Sequence, residues 1–236
     1  MSAIFNAIVV GAPACGKTTI AKFIANKFDF LYLCPREVVA YHISMRTIFG
    51  TKTKKYMYEG RTVPDDLIFD TMLDCIEKFE GKSWVLDSYP RTIKQAKKLQ
   101  DMACVDAAIN LILPPEKIVE RSKKRWVQLP SGRAYSMDYN LPRERGVDNI
   151  TGLKIVQLPK DRPEVVKKRL ESYEIRSKPV MKYLENHFSL TSFNVADMNV
   201  KAKIEDFIIA KFCKKICGER LGDNVTDQHD EQAECS

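Results

Sequence analysis

The sequence lacks the features that would place it in a membrane, on a secretory route or in a disulfide-bonded class. No apolar run reaches the 18 residues of a membrane-spanning helix, and the N-terminus has neither the basic nor the apolar part of a signal peptide. The seven cysteines form no Cys-x-x-Cys pair, so we expect reduced thiols, no disulfides and no zinc site. These absences predict a cytoplasmic protein without a membrane partner.

A concentrated basic surface is also missing. The net charge is +7, but Lys and Arg are dispersed among acidic residues and form no single run. Proteins that bind nucleic acids usually gather their cations on one face or along one element. We therefore expect no nucleic-acid partner, since a protein that binds nucleotides needs cations as well.

The most informative stretch lies near the N-terminus, between an apolar run at 4–10 and a helix-patterned stretch at 19–28. Strand, glycine-rich loop and helix in this order predict a loop that binds polyphosphate through its backbone N–H groups. A lysine in the loop adds charge for the β- and γ-phosphates, and a following hydroxyl can face Mg²⁺. The candidate residues are Gly11, Ala12, Pro13, Ala14, Cys15, Gly16, Lys17, Thr18 and Thr19.

Strand and helix patterns alternate along the rest of the chain. Strands are predicted at 4–10, 30–33, 83–87, 107–113 and 189–195, and helices at 19–28, 34–48, 52–59, from 63, and at 92–103, 115–125, 163–186 and 200–215. This alternation predicts an α/β protein in which helices cover both faces of a mostly parallel sheet. With 236 residues, the chain fits one domain with insertions.

Other candidate sites follow from position. Asp87 ends a predicted strand, where ligands bind in open α/β folds, and we expect it to be associated with Mg²⁺. Arg121 and Arg125 are four residues apart on the helix predicted at 115–125, so both should project from one face, as a ligand site or as a solvated basic surface. The irregular stretch 126–162 is long enough to be functional. Residues 219–236 are polar, and we expect disorder there.

Five collinear motifs make the chain similar to adenylate kinases over about residues 4–212. They are the phosphate loop, Tyr56–Leu67, Leu86–Thr92, Ser131–Tyr135 and Arg169–Tyr173. The resemblance implies a P-loop NTPase-type core at 1–33, 64–125 and 163–218, a monophosphate-binding segment at 34–63 and a lid at 126–162. It also implies reversible conversion of ATP and AMP to two ADP with Mg²⁺, by a monomer.

The resemblance also implies residue roles. For the donor, Lys17 and its loop would hold the phosphates, Arg121 would stack on adenine, and Arg125 would reach the phosphates. Tyr135, counted with the ATP site, would support the lid. Thr18 and Asp87 would face the metal through a hydroxyl or water.

For the acceptor, the implied AMP site holds Arg91, Gln95, Arg169 and Val63, with Gln95 reading the base. The implied catalytic set is Lys17, Arg91, Arg125 and Arg169.

The chain departs from the family pattern in three places. Pro35-Arg36-Glu37 stands where the family has Thr-Gly-Asp. Ala40 stands where an arginine for the AMP phosphate is usual, and Leu158 precedes Lys160-Asp161 where the lid usually has an arginine before two aspartates. We expect a weakened acceptor site, unless another arginine substitutes. The candidates are Arg36, Arg46 and Arg143.

The lid has no Cys or His, so we expect it to be held by hydrogen bonds and packing without zinc. Three functional alternatives stay open. The chain could act on another nucleoside monophosphate, use GTP as donor, or be a nucleotide-binding interaction module with weak or lost catalysis.

Overall fold

A five-stranded parallel sheet forms the centre of the computed structural model, which describes residues 4–58, 63–79, 81–129, 131, 133–138 and 140–226. In chain order the elements are β1 (Asn6–Gly11), α1 (Lys17–Phe28), β2 (Leu31–Leu33), α2 (Pro35–Ser44), α3 (Ile48–Tyr58), α4 (Asp65–Glu77), β3 (Trp84–Asp87), α5 (Ile93–Met102), β4 (Ala107–Ile112), α6 (Pro115–Lys123), β5 (Arg125–Val127), β6 (Ala134–Ser136), a 3-10 turn (Pro159–Asp161), α7 (Pro163–His187), β7 (Leu190–Asn194) and α8 (Val200–Thr226). The strand order is β2-β3-β1-β4-β7. The predicted α/β fold is therefore confirmed.

Helices cover both faces of this sheet because its central strands are apolar on both sides. Along β1, Ala7 and Val9 pack into one layer with α1, α6 and α8, whereas Ile8 and Val10 pack into the other with α5 and the C-terminal half of α7. A strand buried on both faces is typical of parallel sheets. In the register, Val9 lies opposite Asp87, so the C-terminal ends of β1 and β3 meet at one edge.

The second helical region differs from its prediction. The helix predicted at 34–48 ends at Ser44, and a new helix begins at Ile48. The hydroxyl of Thr47 accepts a hydrogen bond from the Gly50 N–H at 3.0 Å, which caps the start of α3. The two helices approach so closely that a Cβ on Gly50 would lie 2.0 Å from the carbonyl oxygen of His42.

The last helix is longer than predicted. α8 continues to Thr226, which includes the first part of the stretch expected to be disordered, while residues 227–236 lie outside the described residues. Lys215 on α8 donates to Asp106 Oδ1 and to the Ile4 carbonyl, both at 2.7 Å. Because these two residues precede β4 and β1, α8 is tied to the N-terminal edge of the sheet.

Parts of the two predicted insertions also lie outside the described residues, namely 59–62 in the monophosphate-binding segment and 130, 132 and 139 in the lid. In the described remainder of the lid, β5 and β6 pair as an antiparallel hairpin where an irregular stretch was predicted. No helix among the described residues is long and apolar enough to cross a membrane. The six cysteines in these ranges have free thiols.

Candidate active site

The glycine-rich loop joins β1 to α1 at the C-terminal edge of the sheet. Gly11 has a φ of +141°, and a Cβ there would lie 2.5 Å from the carbonyl oxygen of Leu111 on the neighbouring strand. Gly16, with a φ of +104°, precedes the first turn of α1. That turn has no side-chain cap and no acidic residue, so its N–H groups and positive dipole remain available for an anion.

Lys17 lies at the centre of a group of charged side chains. Its Nζ donates to the carbonyl oxygen of Ala12 at 2.6 Å. Burial lowers the pKa of Lys17, Asp87 counteracts this, and the positive charges of Arg91 and Arg169 lower it further. The charges of Asp87, Arg91 and Arg169 therefore all affect Lys17, although these residues are distant in sequence.

Asp87 is fully buried at the end of β3 and accepts three hydrogen bonds from hydroxyl groups. Its Oδ2 accepts from Thr18 Oγ1 at 2.6 Å and from the Tyr32 hydroxyl at 2.8 Å, while Oδ1 accepts from Ser88 Oγ at 2.8 Å. Mg²⁺ prefers oxygen ligands and keeps several of its waters, so the Asp87 carboxylate and the Thr18 hydroxyl suit it chemically. Thr18, and not the exposed Thr19, is therefore the better metal candidate.

Tyr32 is a member of this group that the sequence did not reveal. It lies on β2, beside β3. Burial raises the pKa of its phenol, and the negative charge of Asp87 raises it further. The phenol therefore stays protonated and can donate to the carboxylate. Only the strand order places it there, and the local pattern around residues 30–33 gives no sign of it.

Arg91 and Gln95 lie at the junction between the end of β3 and α5. Arg91 Nε donates to the Ser88 carbonyl at 2.8 Å, and the Arg91 backbone N–H donates to Gln95 Oε1 at 2.8 Å. Gln95 is buried, and its Nε2 donates to Asp65 Oδ1 at 2.6 Å. Half-buried Val63 lies two residues before Asp65, at the entry to α4. These contacts join two of the predicted acceptor residues, Arg91 and Gln95, while base reading by Gln95 stays a prediction.

The predicted pairing of Arg121 and Arg125 on one helical face is wrong. α6 ends at Lys123, and Arg125 begins β5. Its Nη1 donates to Oδ2 of buried Asp161 at 2.7 Å, whereas Arg121 Nη2 donates to the Val195 carbonyl at 3.2 Å. The two guanidinium groups therefore bind different partners: Arg125 at the base of the lid and Arg121 beside the loop after β7.

A further group of cations surrounds the 3-10 turn that leads from the lid into α7. Arg169 Nη1 donates to the Lys160 carbonyl at 3.3 Å. Burial lowers the pKa of Lys160, and the charges of Arg125, Arg36 and Arg169 lower it further, against the opposite effect of Asp161. Since Arg169 also acts on Lys17, these residues extend the first group. We call the whole set the cation cluster; its members are Lys17, Arg36, Arg91, Arg125, Lys160 and Arg169.

The lid is held by a network centred on the buried carboxylate of Asp148. Arg133 binds it in bidentate fashion, through Nε to Oδ1 at 2.8 Å and Nη2 to Oδ2 at 2.7 Å. The Tyr135 hydroxyl donates to Oδ1 at 2.8 Å, and Thr151 donates to Oδ2 through its backbone N–H and its hydroxyl. These hydrogen bonds hold the pKa of Asp148 far below its usual range, and those from Arg133 have the largest effect. Tyr135 is thus an internal support of the lid.

Comparison with known proteins gives a family match and similarity to curated proteins. The family described as adenylate kinase matches residues 9–189, a range that includes the phosphate loop, Asp87, Arg91, Arg125 and Arg169. Among curated proteins, the mitochondrial GTP:AMP phosphotransferase of Drosophila melanogaster is 36% identical to this chain over 190 residues, which are 80% of this chain and 88% of that protein.

Proposed function

This chain belongs to the adenylate kinase family, and on that premise we propose that it catalyses the reversible transfer of the γ-phosphoryl group from ATP to AMP, giving two ADP. The observation that carries the proposal is the convergence of Lys17, Arg91 and Arg169 beside Asp87 and Thr18. Phosphoryl transfer requires positioning and cationic stabilisation above all, because charge spreads over the equatorial oxygens of the transferred group.

The bond between the γ-phosphorus and the bridging oxygen breaks, and a bond forms between that phosphorus and an oxygen of the AMP phosphate. Because the second pKa of a phosphate monoester is near 6, the attacking oxygen carries no proton at pH 7, and the reaction needs no general base. The site fits this chemistry, because the buried carboxylate of Asp87 is already engaged with three hydroxyl groups. Lys17 and the arginines instead neutralise the donor and acceptor phosphates while these approach each other.

Thr18 and Asp87 would hold Mg²⁺ through the hydroxyl and through metal-bound water. When bound, the ion would supply positive charge that neutralises the charge developing on the phosphates. The orientation of this pair depends on protein groups, since Tyr32 and Ser88 fix the Asp87 carboxylate.

Exclusion of water is the second requirement, because water would otherwise accept the phosphoryl group. We assign this task to the two insertions, the monophosphate-binding segment at 34–63 and the lid at 126–162, which would close over the substrates. Arg36 belongs to the monophosphate-binding segment, and Arg125 lies at the base of the lid. The charges of both lower the pKa of Lys160, so both insertions would contribute to the cation cluster.

GTP is a second candidate donor, because the curated relative at 36% identity carries the name GTP:AMP phosphotransferase. The two donors differ only in the base, which does not take part in the chemistry. Arg121 and the Val195 carbonyl, joined by a 3.2 Å hydrogen bond, are where we expect the donor base to lie. A carbonyl oxygen there suits the exocyclic amino group of adenine better than O6 of guanine, which is also an acceptor.

The test is the formation of nucleoside diphosphates by the purified protein with ATP or GTP as donor and AMP, CMP, UMP or GMP as acceptor. We expect AMP to be the preferred acceptor and ATP the better donor. The Lys17→Ala variant, purified in parallel, measures contaminating kinase activity. A higher kcat/KM with GTP would favour the second candidate. Nucleotide binding without turnover by any pair would overturn the enzymatic proposal in favour of an interaction module.

A further inference from the structure

The two oxygens of the buried Asp87 carboxylate are engaged unequally. Oδ2 accepts from Thr18 Oγ1 at 2.6 Å and from the Tyr32 hydroxyl at 2.8 Å, whereas Oδ1 accepts from Ser88 Oγ at 2.8 Å. Each carboxylate oxygen offers about two lone pairs to donors. Oδ2 is therefore fully used by two hydroxyl groups, and among the described residues Oδ1 keeps the capacity for a further donor.

The directions of these hydrogen bonds matter for a cation. The Tyr32 phenol donates its proton to Oδ2, and its pKa is raised by burial and by Asp87, so the proton stays on the phenol. Thr18 also donates to Oδ2, and its own lone pairs remain available. The arrangement thus leaves two free acceptors beside the phosphate loop, the Thr18 oxygen and Asp87 Oδ1.

The ring of Tyr32 is held in place by protein groups. Lys22 Nζ on α1 lies over the ring, 4.9 Å from its centroid, and also forms an ion pair with Glu37 Oε1 on α2 at 3.1 Å. Tyr32 packs in addition against the buried core layer that α1 shares with the sheet. The ion pair is half exposed and stabilises little by itself. Strand β2 and helix α1 therefore fix the phenol before any ligand binds.

We propose that Tyr32 is a positioning residue of the magnesium site: its hydroxyl shares Oδ2 of Asp87 with Thr18 and so reserves Oδ1 for a metal-bound water. The proposal rests on the kinase function proposed above, because the nucleotide carries the metal into the site. It adds a residue on β2, outside the phosphate loop. Loss of a group that orients a metal-binding side chain typically weakens metal binding or activity about ten- to a hundredfold.

The competing interpretation is that Tyr32 only fills space and that its hydroxyl plays no part. Tyr32→Phe separates the two, because it removes the hydroxyl and keeps the ring beneath Lys22. Tyr183 provides the matched control: it is also half-buried, and its hydroxyl donates to Gln100 Oε1 where α5 and α7 pack together. Tyr183→Phe therefore removes the same kind of hydrogen bond outside the site. The melting temperature of each variant reports its folding.

The first experiment measures metal binding without turnover. Electron paramagnetic resonance determines the affinity for Mn²⁺ of the protein in complex with a non-hydrolysable ATP analogue, because Mn²⁺ takes the same oxygen ligands as Mg²⁺. We expect Tyr32→Phe to bind Mn²⁺ about tenfold more weakly and to bind the metal-free analogue like the wild type. Tyr183→Phe should match the wild type in both. An unchanged Mn²⁺ affinity in Tyr32→Phe would overturn the proposal.

Lys22→Met is a second variant, which decides the matter if Tyr32→Phe melts below the assay temperature. It keeps the hydroxyl but removes the cation over the ring, a contact that corresponds to about two- to fivefold in affinity. We expect a loss of that size in Mn²⁺ affinity. Its absence in a folded Lys22→Met protein would then overturn the proposal in the same way.

A double-mutant cycle tests whether Tyr32 acts through Asp87. If it does, Tyr32→Phe should cost much less Mn²⁺ affinity in an Asp87→Asn background than in the wild type. An equal loss in both backgrounds would show that the phenol acts elsewhere and would overturn the proposal.

Steady-state kinetics provide the last comparison. Tyr32→Phe should lower kcat about tenfold and leave the KM values for ATP and AMP close to those of the wild type, because the phosphate contacts are unchanged. The two levels of argument fail differently. An active wild type whose Tyr32→Phe variant binds Mn²⁺ normally refutes this inference alone, whereas a wild type that binds metal and nucleotide without turnover refutes the proposed function.

Discussion

Lys17 is a residue of the phosphate loop on which the charges of Asp87, Arg91 and Arg169 all act. Burial lowers its pKa and the charges of Arg91 and Arg169 lower it further, while its Nζ donates a hydrogen bond to the loop carbonyl of Ala12. Nothing in these contacts supports the core. Its contribution should therefore be to the chemistry and not to folding.

We expect Lys17→Ala to lower turnover by several orders of magnitude and to leave the melting temperature nearly unchanged. The reason is that the lysine charge acts directly on the transferring phosphates. Steady-state kinetics and circular dichroism measure the two effects. Turnover within about tenfold of the wild type would contradict the assignment.

Ala40 provides a second test at a single residue. It is exposed and one turn after Arg36 on α2, so an arginine there would place a like charge on the same helical face. Sequence reasoning left open whether the acceptor site is weakened or an arginine is relocated. The positive charge of Arg36 contributes to the lowered pKa of Lys160, at the turn after the lid, which agrees with relocation.

We therefore expect Ala40→Arg to leave kcat/KM for AMP unchanged or to lower it, with Ala40→Gln as the uncharged control. Kinetics with varied AMP at saturating ATP decide the matter. A gain of about tenfold, ~1.4 kcal/mol, would mean that the usual arginine position is still open and that Arg36 does not replace it.

At the scale of elements, the local sequence pattern predicted the features that short-range interactions determine. The phosphate loop, the strand ending at Asp87 and the amphipathic helices follow from short-range sequence. The end of α6 does not, because Trp126 on β5 pairs with Tyr135 on β6, and this pairing takes Arg125 out of the helix. Lys160 and Tyr32 meet their partners only through the tertiary fold, so spacing in the sequence could not identify those contacts.

The lid is the element whose stability depends most on one side chain. Asp148 is a buried carboxylate bound by Arg133, Tyr135 and Thr151. Its folded-state pKa lies below the unfolded value near 4, so its contribution to stability is present above that value and is lost as the pH falls through the folded-state pKa.

We expect Asp148→Asn to lower the melting temperature at pH 7, with Asp138→Asn, an exposed lid aspartate, as the smaller control. The difference between wild type and Asp148→Asn should be constant from about pH 8 to 5 and should shrink below pH 4. Calorimetric melting across this range measures it. A difference that persists unchanged into the acid range would show that the amide fails for another reason.

The same lid is expected to need no zinc, because hydrogen bonds within it already hold its loops together. Ser131 donates to Gln128, and Thr151 donates to Asp148. Elemental analysis of the purified protein tests this expectation. Stoichiometric zinc, lost together with thermal stability on chelation, would contradict it.

At the scale of the whole molecule, the cation cluster joins the phosphate loop, α2, the loop after β3, β5, the 3-10 turn and α7. Phosphates that bind among these cations would reduce their mutual repulsion and so favour closure of the two insertions. We expect AMP together with a non-hydrolysable ATP analogue to reduce the radius of gyration in small-angle X-ray scattering. Lys17→Ala should reduce this response, and an unchanged radius in the wild type would argue against closure.

The attachment of α8 to the sheet has a practical consequence. Lys215 binds at Ile4 and Asp106, on the edge opposite the strand ends that carry the phosphate loop and Asp87. A surface tether or a fluorescent reporter coupled near residue 215 would thus lie on the side opposite the phosphate loop. The nucleotide-binding edge would then remain open to solution. The molecule is therefore suited to oriented immobilisation, with both nucleotides entering from the free side.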